Sequence, residues 1–451
     1  MNFFDQLVIP PSPSHVALLN VIQILAFLIF LPFTGMLAGG SLLSIYFNYL
    51  GKKTKNELYI RFSKDIIDKL SISRNAGYAV GMLPVMTILF VYAQFLYGAK
   101  VISVNMLLLS ALLFIASYII LYNYKNTFHL EKILNSFKSL LNPDIAKIPA
   151  GAKEYERKII ESNSRYGHMG TFVLYVATFL FIGSTTIASD SQSWSQVNNI
   201  LGLLVSGRIW LNYLYFLSTS FAITGGAILF FFFAWQGGIN DLTEEYRNLI
   251  KKYSVSLALT GTLLQPIFLF TNIIFLPRES MSSYVYIYSG LALLCVLIVC
   301  NLLYVIFKDS KINYSGAVFF IMLLTFSFTI VKDQLIFGNA VKDHLKTVFA
   351  KSDELEKETI ALVTASGTKG INPEEIFNAK CSACHRFDVK LVGPPYQQTV
   401  PKYNGDVNKL SEFIYNPVKV NADYPPMPNQ GLKKKEADAM AQWLITKIGK
   451  K

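Results

Sequence analysis

Near the end of this sequence two cysteines and a histidine stand together, as Cys381-Ser-Ala-Cys384-His385 within "IFNAKCSACHRFDVKLVGPPY". Two thiols separated by two residues, with an imidazole directly after, are suited to three kinds of chemistry. They can add across the vinyl groups of a haem while the imidazole turns to its iron. They can contribute to a zinc site, or cycle as a redox pair. Zinc would need one or two further Cys or His close by, and residues 386–451 contain neither. Redox cycling of the thioredoxin type would need a βαβ pattern around the pair, and the flanking sequence has none. The spacing favours covalent haem attachment.

The elements that must position this motif are short and helical. "NPEEIFNAK" before it places Asn372 as an N-cap, Pro373 at the first helical position and two acids in the first turn. "GPPY" begins eight residues after His385, and "YPPMPNQGLKKKEADAMAQWLITKIG" sets Met427 between prolines ahead of an amphipathic helix. Over residues 371–449 this arrangement resembles the class I cytochrome c family. The resemblance implies a small all-α domain with one covalently bound haem c, attached through Cys381 and Cys384. It implies His385 as the proximal axial ligand and Met427 as the distal one. Pro394 would lie in the segment whose backbone carbonyl holds the imidazole N–H, fixing ring orientation and basicity. Phe377, Trp443 and Leu444 stand where the first and last helices of that family cross, and Met440 on the last helix reads as core. With both axial positions taken by protein, such an iron moves electrons and binds no substrate.

The remainder of the chain is of another kind. Of 451 residues 52% are hydrophobic and 16% charged, too apolar for an ordinary soluble enzyme and suited to a multi-span membrane protein. The net charge of +12 comes with no nucleic-acid motif, and its basic residues sit mainly between apolar runs. Cys295 and Cys300 lie in an apolar run and read as small hydrophobes. The first fifteen residues hold no Lys or Arg, so no signal-peptide n-region is expected and the first apolar stretch should stay as a span.

Eight apolar segments are long enough to cross a bilayer as helices, near 16–48, 76–98, 101–124, 167–189, 209–236, 254–277, 284–307 and 313–335. Basic residues alternate between the connections. The 49–75 loop carries seven, from Lys52 to Arg74, and the 125–166 loop eight: Lys125, Lys132, Lys138, Lys147, Lys153, Arg157, Lys158 and Arg165. Arg247, Lys251, Lys252, Lys308 and Lys311 continue the set, against Lys100, Arg208 and Arg278 in the other loops. By the positive-inside rule the first set is cytoplasmic and both termini lie outside. Residues 52–72 read as an amphipathic helix on the inner surface. Beyond the last span, helical spacing continues to about residue 363, a stalk of roughly 38 Å for about 25 residues, and "ASGTKG" reads as a joint. The expected division is a transmembrane domain at 1–337, a stalk at 338–370 and a cytochrome c domain at 371–451.

The early spans carry a second resemblance. "LAFLIFLPFTGMLAGG", a basic amphipathic stretch, "RNAGYAVGMLPVMTILFVYAQFLYG" and "RIWLNYLYFLSTSFAITGGA" resemble cytochrome bd oxidase subunit I and its divergent relatives over residues 16–236. By that matching Phe27 and Tyr215 occupy positions where the oxidase carries haem-ligating histidines. The family's third-span glutamates and long quinol-binding loop are missing. Lys332 and Asp333 fall at the outer end of the last span, and the spans contain no Asp, Glu, Arg or His well inside the bilayer, which argues against a pump, a transporter or a bis-histidine haem b. His15 and His168 read as side chains at the membrane edges, His129 and His344 as surface groups. Gln94, Asn212, Gln265, Asn272 and Asn301 read as interhelical hydrogen-bonding residues.

The expected protein is therefore an all-α, eight-helix transmembrane bundle followed by a class I cytochrome c domain. It would relay electrons on the outer face of the cytoplasmic membrane as a subunit of a respiratory complex, and would not be a self-contained enzyme. The alternative is a bd-like quinol oxidoreductase subunit that also holds haem b. Expected partners are the membrane, other complex subunits, a soluble redox carrier or enzyme outside, and quinol reached through a partner subunit; nucleic acid is not among them.

Overall fold

The structure is a computed structural model that describes residues 7–71, 73–140, 150–197, 199–239, 242–309, 312–368 and 371–448. These residues are helical or irregular, with no strand among them. They form two compact units, Met1–Ser352 and Asp353–Lys451.

The first ten helices run in order α1 (Pro13–Thr54), α2 (Glu57–Leu70), α3 (Arg74–Phe95), α4 (Ser103–Leu140), α5 (Ala150–Ala188), α6 (Ile200–Val205), α7 (Gly207–Phe233), α8 (Glu244–Ile274), α9 (Ser283–Asp309) and α10 (Ser315–Thr368), of which α10 alone runs past the end of the first unit. Among the described residues eight helices are long and apolar enough to cross a membrane, and each overlaps one of the eight expected segments. In lipid a helix satisfies its own backbone hydrogen bonds within one segment. Helix α7 is the most enclosed; Ala222, Ile223, Ala227, Ile228 and Leu229 have essentially no exposure. Its approach to α8 needs glycine. A Cβ on Gly225 would stand 2.5 Å from the Ser254 carbonyl oxygen, and one on Gly261 2.5 Å from the Ala222 nitrogen. Small residues at the seam let two backbones meet where no hydrophobic drive separates helix from lipid.

Three expectations change. The 125–166 connection is largely helix: α4 continues to Leu140 and α5 starts at Ala150. Lys158–Glu154 at 2.7 Å and Arg157–Glu161 at 3.6 Å are i,i+4 pairs on that extension, while Lys125 reaches Asp68 of α2 at 3.1 Å. Such pairs suit an exposed helix, and that local consistency prolongs the spans past their apolar parts. Lys147, Lys311 and the side chain of Lys138 lie outside the described residues. Second, α2 does not present its apolar face to lipid. Phe62, Ile66, Ile67 and Leu70 are buried, and the Phe62 ring lies 4.8 Å from Phe47 of α1 and 6.4 Å from Phe232 of α7. Ser44 and Ser63 exchange hydroxyl-to-carbonyl hydrogen bonds of 2.8 and 2.7 Å across the same seam. Third, the last span and the expected stalk form one helix, α10, unbroken through Thr368. That includes four residues of the expected joint; Lys369 and Gly370 lie outside the described residues.

The second unit continues with α11 (Pro373–Ile376), α12 (Tyr396–Thr399), α13 (Val407–Tyr415) and α14 (Lys434–Ile448). Its core joins Tyr396, Val400, Leu410, Ile414, Leu432, Met440 and Leu444. Met440 is core, as its place on an amphipathic helix predicts. Phe377 and Trp443 meet with ring centroids 5.5 Å apart, bringing the first and last helices together.

Candidate functional site

The motif sits on a helix whose start is written in the sequence. The Asn372 side chain accepts from the Glu374 and Glu375 N–H groups at 3.2 and 3.4 Å, and Pro373 occupies the first helical position, where its missing N–H costs nothing. After one turn the helix widens: the Ser382 N–H donates to the Phe377 carbonyl at 2.8 Å, a five-residue step over Phe377–Cys381. Such π-turns recur at functional sites, and this one ends on Cys381. The N–H groups of Cys384 and His385 then both donate to the Cys381 carbonyl, at 3.1 and 3.0 Å. One tight turn thus presents both thiols and the imidazole. Neither cysteine is in a disulfide. Cys381 is buried and Cys384 half-buried, and burial pushes the Cys381 thiol above its ordinary range.

The segment after the motif folds back onto it. The Gly393 N–H donates to the Cys384 carbonyl at 2.8 Å, that of Tyr396 to Arg386 at 3.0 Å and that of Gln397 to Phe387 at 3.0 Å. This return holds His385 on three sides. Its Nδ1 lies 2.9 Å from the Pro394 carbonyl oxygen, so Nδ1 carries the proton and donates. The Tyr396 ring stacks on the imidazole at 5.0 Å and 22°. Gly393 covers it from the backbone, where a Cβ would stand 2.3 Å from His385 Cε1 and 2.7 Å from each ring nitrogen. The imidazole has little freedom to turn, and Nε2 keeps its lone pair for a metal. The Tyr396 hydroxyl bonds to the Cys381 sulfur, and burial raises the pKa of that phenol.

Met427 is half-buried in the irregular segment between Asn416 and α14. That segment is fastened just beyond the methionine. Asn429 reaches the Tyr415 carbonyl at 3.4 Å, its Oδ1 accepts from the Gly431 N–H at 2.8 Å, and the Lys380 ammonium donates to the Gln430 carbonyl at 3.0 Å. Lys380 stands next to Cys381, so this bond ties the methionine segment to the motif helix. The sequence marks the motif, Pro394 and Met427 as candidates, but not Tyr396, Gly393 or Lys380 as their neighbours. The "GPPY" string was the signal for the first two. Among the described residues no three His, Cys, Asp or Glu side chains converge on one point, so the donor set is not that of a zinc site. Two free thiols on one turn, an imidazole with Nε2 open and a cradle emptied by glycine fit a covalently attached haem.

The remaining histidines lie in the first unit. His15 and His168 are exposed, and His168 Nδ1 bonds the Ser164 carbonyl of its own helix at 2.7 Å. His129 is half-exposed, 3.6 Å from Asp68. His344 departs from a surface reading: it is half-buried, with Nε2 3.1 Å from the Tyr97 carbonyl and its ring 5.4 Å from Trp194. Packing of α10 against the 97–101 turn covers it. Of the amides, Asn212 donates to Thr186 at 2.8 Å between α7 and α5 as expected, whereas Gln265 Oε1 is buried with no partner.

A family profile described as cytochrome c matches residues 372–446. Cytochrome c-551 of Pseudomonas denitrificans is 40% identical over 77 residues, covering 16% of this chain and 94% of that protein. Cytochrome c-551 of Pseudomonas aeruginosa is 33% identical over 86 residues, 18% of this chain and 83% of the relative. Cytochrome c-552 of Hydrogenobacter thermophilus is 29% identical over 91 residues, 19% of this chain and 92% of the relative.

Proposed function

Because the chain belongs to the cytochrome c family through its residues 372–446, we propose that it is a membrane-integral monohaem cytochrome that relays electrons outside the cytoplasmic membrane as a subunit of a respiratory complex. The observation that carries this reading is the held imidazole, with Nδ1 engaged by the Pro394 carbonyl, the ring clamped by Tyr396 and Gly393, and Nε2 open. Cys381 and Cys384 would form the two thioether links to a single haem c, with His385 and Met427 as its axial ligands. Bound in this way, the group supplies a one-electron iron couple with no open coordination position. The Pro394 carbonyl withdraws no proton from His385 but aligns it and raises its basicity as a ligand.

The eight apolar helices anchor the domain. Loop charges assign both termini, and with them residues 371–451, to the outer side, where covalent haem attachment takes place in this family. Residues 338–370 would serve as a stalk, and the partners are other complex subunits and a soluble carrier or enzyme outside. Residues 16–236 we read as a divergent relative of cytochrome bd oxidase subunit I. Phe27 and Tyr215 at its ligand positions are a reason for assigning no haem to that part.

Acid–acetone extraction of the purified full chain tests the reading. One haem per chain should remain on the polypeptide with nothing extracted, and a Cys381→Ala, Cys384→Ala chain should lose it. A stoichiometric extractable haem would favour an oxidoreductase holding haem b; a chain without bound haem would end the proposal.

A further inference from the structure

Where α1 turns into α2 and α8 begins, the first unit carries cations beside exposed aromatic rings. On α1, Leu42, Tyr46 and Tyr49 are exposed. They recur every three or four residues, so they form one stripe along an apolar span. The next position on that stripe is Lys53, whose ammonium lies 5.8 Å from the Tyr49 ring centroid. On α8 the Lys252 ammonium lies 5.7 Å from the Tyr253 ring. Tyr253 packs 4.7 Å from Phe47, and Phe47 meets Tyr46 at 5.2 Å, so the aromatic surface runs from one helix to the other. Tyr59 of α2 completes it, with its ring 5.6 Å from Phe47 and its hydroxyl 3.4 Å from that of Tyr253. Among the described residues neither Lys53 nor Lys252 is paired with a carboxylate, and nor are Lys52 and Lys55, although Glu57 and Glu245 lie within two turns. Other cations of this unit are neutralised: Lys125 by Asp68 at 3.1 Å and Lys158 by Glu154 at 2.7 Å.

Charge and surface together decide the class of ligand. Ammonium groups without counter-ions ask for an anion rich in acceptor oxygens. The two phenols add a donor, since one O–H is spent on the bond between them and the other remains. The exposed stripe below Lys53 asks for an apolar chain. A free phosphate meets only the first demand and a neutral lipid only the last. Lysine stems lie along apolar surface with their heads at the level of the lipid head groups, where tyrosine also concentrates. Basic clusters at the ends of spans attract anionic lipids through the same geometry. We propose that the α1–α2 corner and the start of α8 form a binding site for an anionic phospholipid. Its phosphate would rest against Lys53, Lys252 and the Tyr59–Tyr253 pair, and an acyl chain along Tyr49, Tyr46 and Leu42. The assignment stands on the membrane-spanning unit alone and is independent of the haem reading.

The test uses the full chain, delipidated in mild detergent and titrated with phosphatidylglycerol or with phosphatidylcholine of the same acyl chains, bound lipid being counted by native mass spectrometry. Phosphatidylglycerol should bind saturably and at least tenfold more tightly than phosphatidylcholine, and excess inorganic phosphate should not displace it. A chain carrying both Lys53→Gln and Lys252→Gln should bind phosphatidylglycerol at least tenfold more weakly and phosphatidylcholine as before. Lys158→Gln is the control, a paired cation on the same end of the unit, where Asn48 of α1 bonds Asn163 of α5 at 2.8 Å. It should change the affinity less than twofold. Equal binding of the two lipids, or an affinity untouched by the double replacement, would overturn the proposal. So would an equal loss in Lys158→Gln, which would mean that net charge alone attracts the lipid, and so would displacement by inorganic phosphate, which would mean a small-anion site. The comparison of lipids on the unaltered chain decides the matter even if the doubly replaced chain does not fold.

Discussion

Replacing Gly393 with alanine tests the clamp on His385 directly. The added methyl would stand 2.3 Å from Cε1 and 2.7 Å from Nδ1 and Nε2, where ordinary contact begins at 3.4 Å. Neither the ring nor the backbone can yield freely. Turning the imidazole breaks its 2.9 Å bond to the Pro394 carbonyl, and withdrawing the backbone strains the bond from the Gly393 N–H to the Cys384 carbonyl. Overpacking of this kind costs about 1–3 kcal/mol, and a lost hydrogen bond about 0.5–1.5 kcal/mol. Reduced freedom of the unfolded chain returns only about 0.4–1 kcal/mol. The net loss is about 0.5–4 kcal/mol, which at roughly 4–8 °C per kcal/mol for a domain of this size lowers Tm by some 2–30 °C. Melting of the full chain followed by haem absorbance reads this unit alone. Gly405→Ala is the control: its φ of +78° is strained for alanine, but nothing lies within 4 Å of the new methyl. It should cost about 1–2 kcal/mol and leave the iron's ligand-field spectrum unchanged, whereas Gly393→Ala should alter it. A Gly393→Ala chain that melts within about 2 °C of the parent, with an unaltered spectrum, would refute the clamp.

Met427→Ala should leave the haem covalently bound, open a coordination position and lower the reduction potential; an unchanged iron–sulfur charge-transfer band would remove Met427 as the ligand. Asp406 caps α13 by accepting from the Lys409 and Asn408 N–H groups, each at 3.1 Å, and these bonds hold its carboxyl below the ordinary range. Its folded pKa is thus lower than its unfolded one, so its contribution is present above about pH 4 and is lost as pH falls through the folded value. In urea titrations across that range Asp406→Asn, which keeps the cap, should flatten the acid-side decline, and an identical decline in both chains would contradict the assignment. For topology, a single cysteine introduced near residue 155 should resist a membrane-impermeant maleimide in intact cells and react once spheroplasts are lysed, and labelling from outside would reverse the orientation.

The sequence by itself determined many of the features that depend on neighbours along the chain. Eight apolar runs of spanning length became eight helices because a helix meets its hydrogen-bonding needs within one segment. Asn372 and Pro373 marked a helix start, since an N-cap is a contact across three residues. The Cys381-to-His385 spacing placed three reactive groups on one turn, and its likeness to known cytochromes c pointed to Pro394 as the carbonyl that the imidazole meets. What the tertiary structure alone decided involves groups distant in sequence. Helix α2 has the amphipathic pattern of an interfacial helix, and periodicity does not distinguish lipid from Phe47 and Phe232 as the apolar surface it covers. His344 looked like a surface residue in charged sequence until Trp194 and the Tyr97 carbonyl, some 150 and 247 residues away, closed over it. Gln265, Tyr215 and Lys332 each stand out in the sequence for a separate reason, on three separate helices. Only the packing of α7, α8 and α10 gathers them around one space, and it is that convergence which leaves Gln265 without a partner.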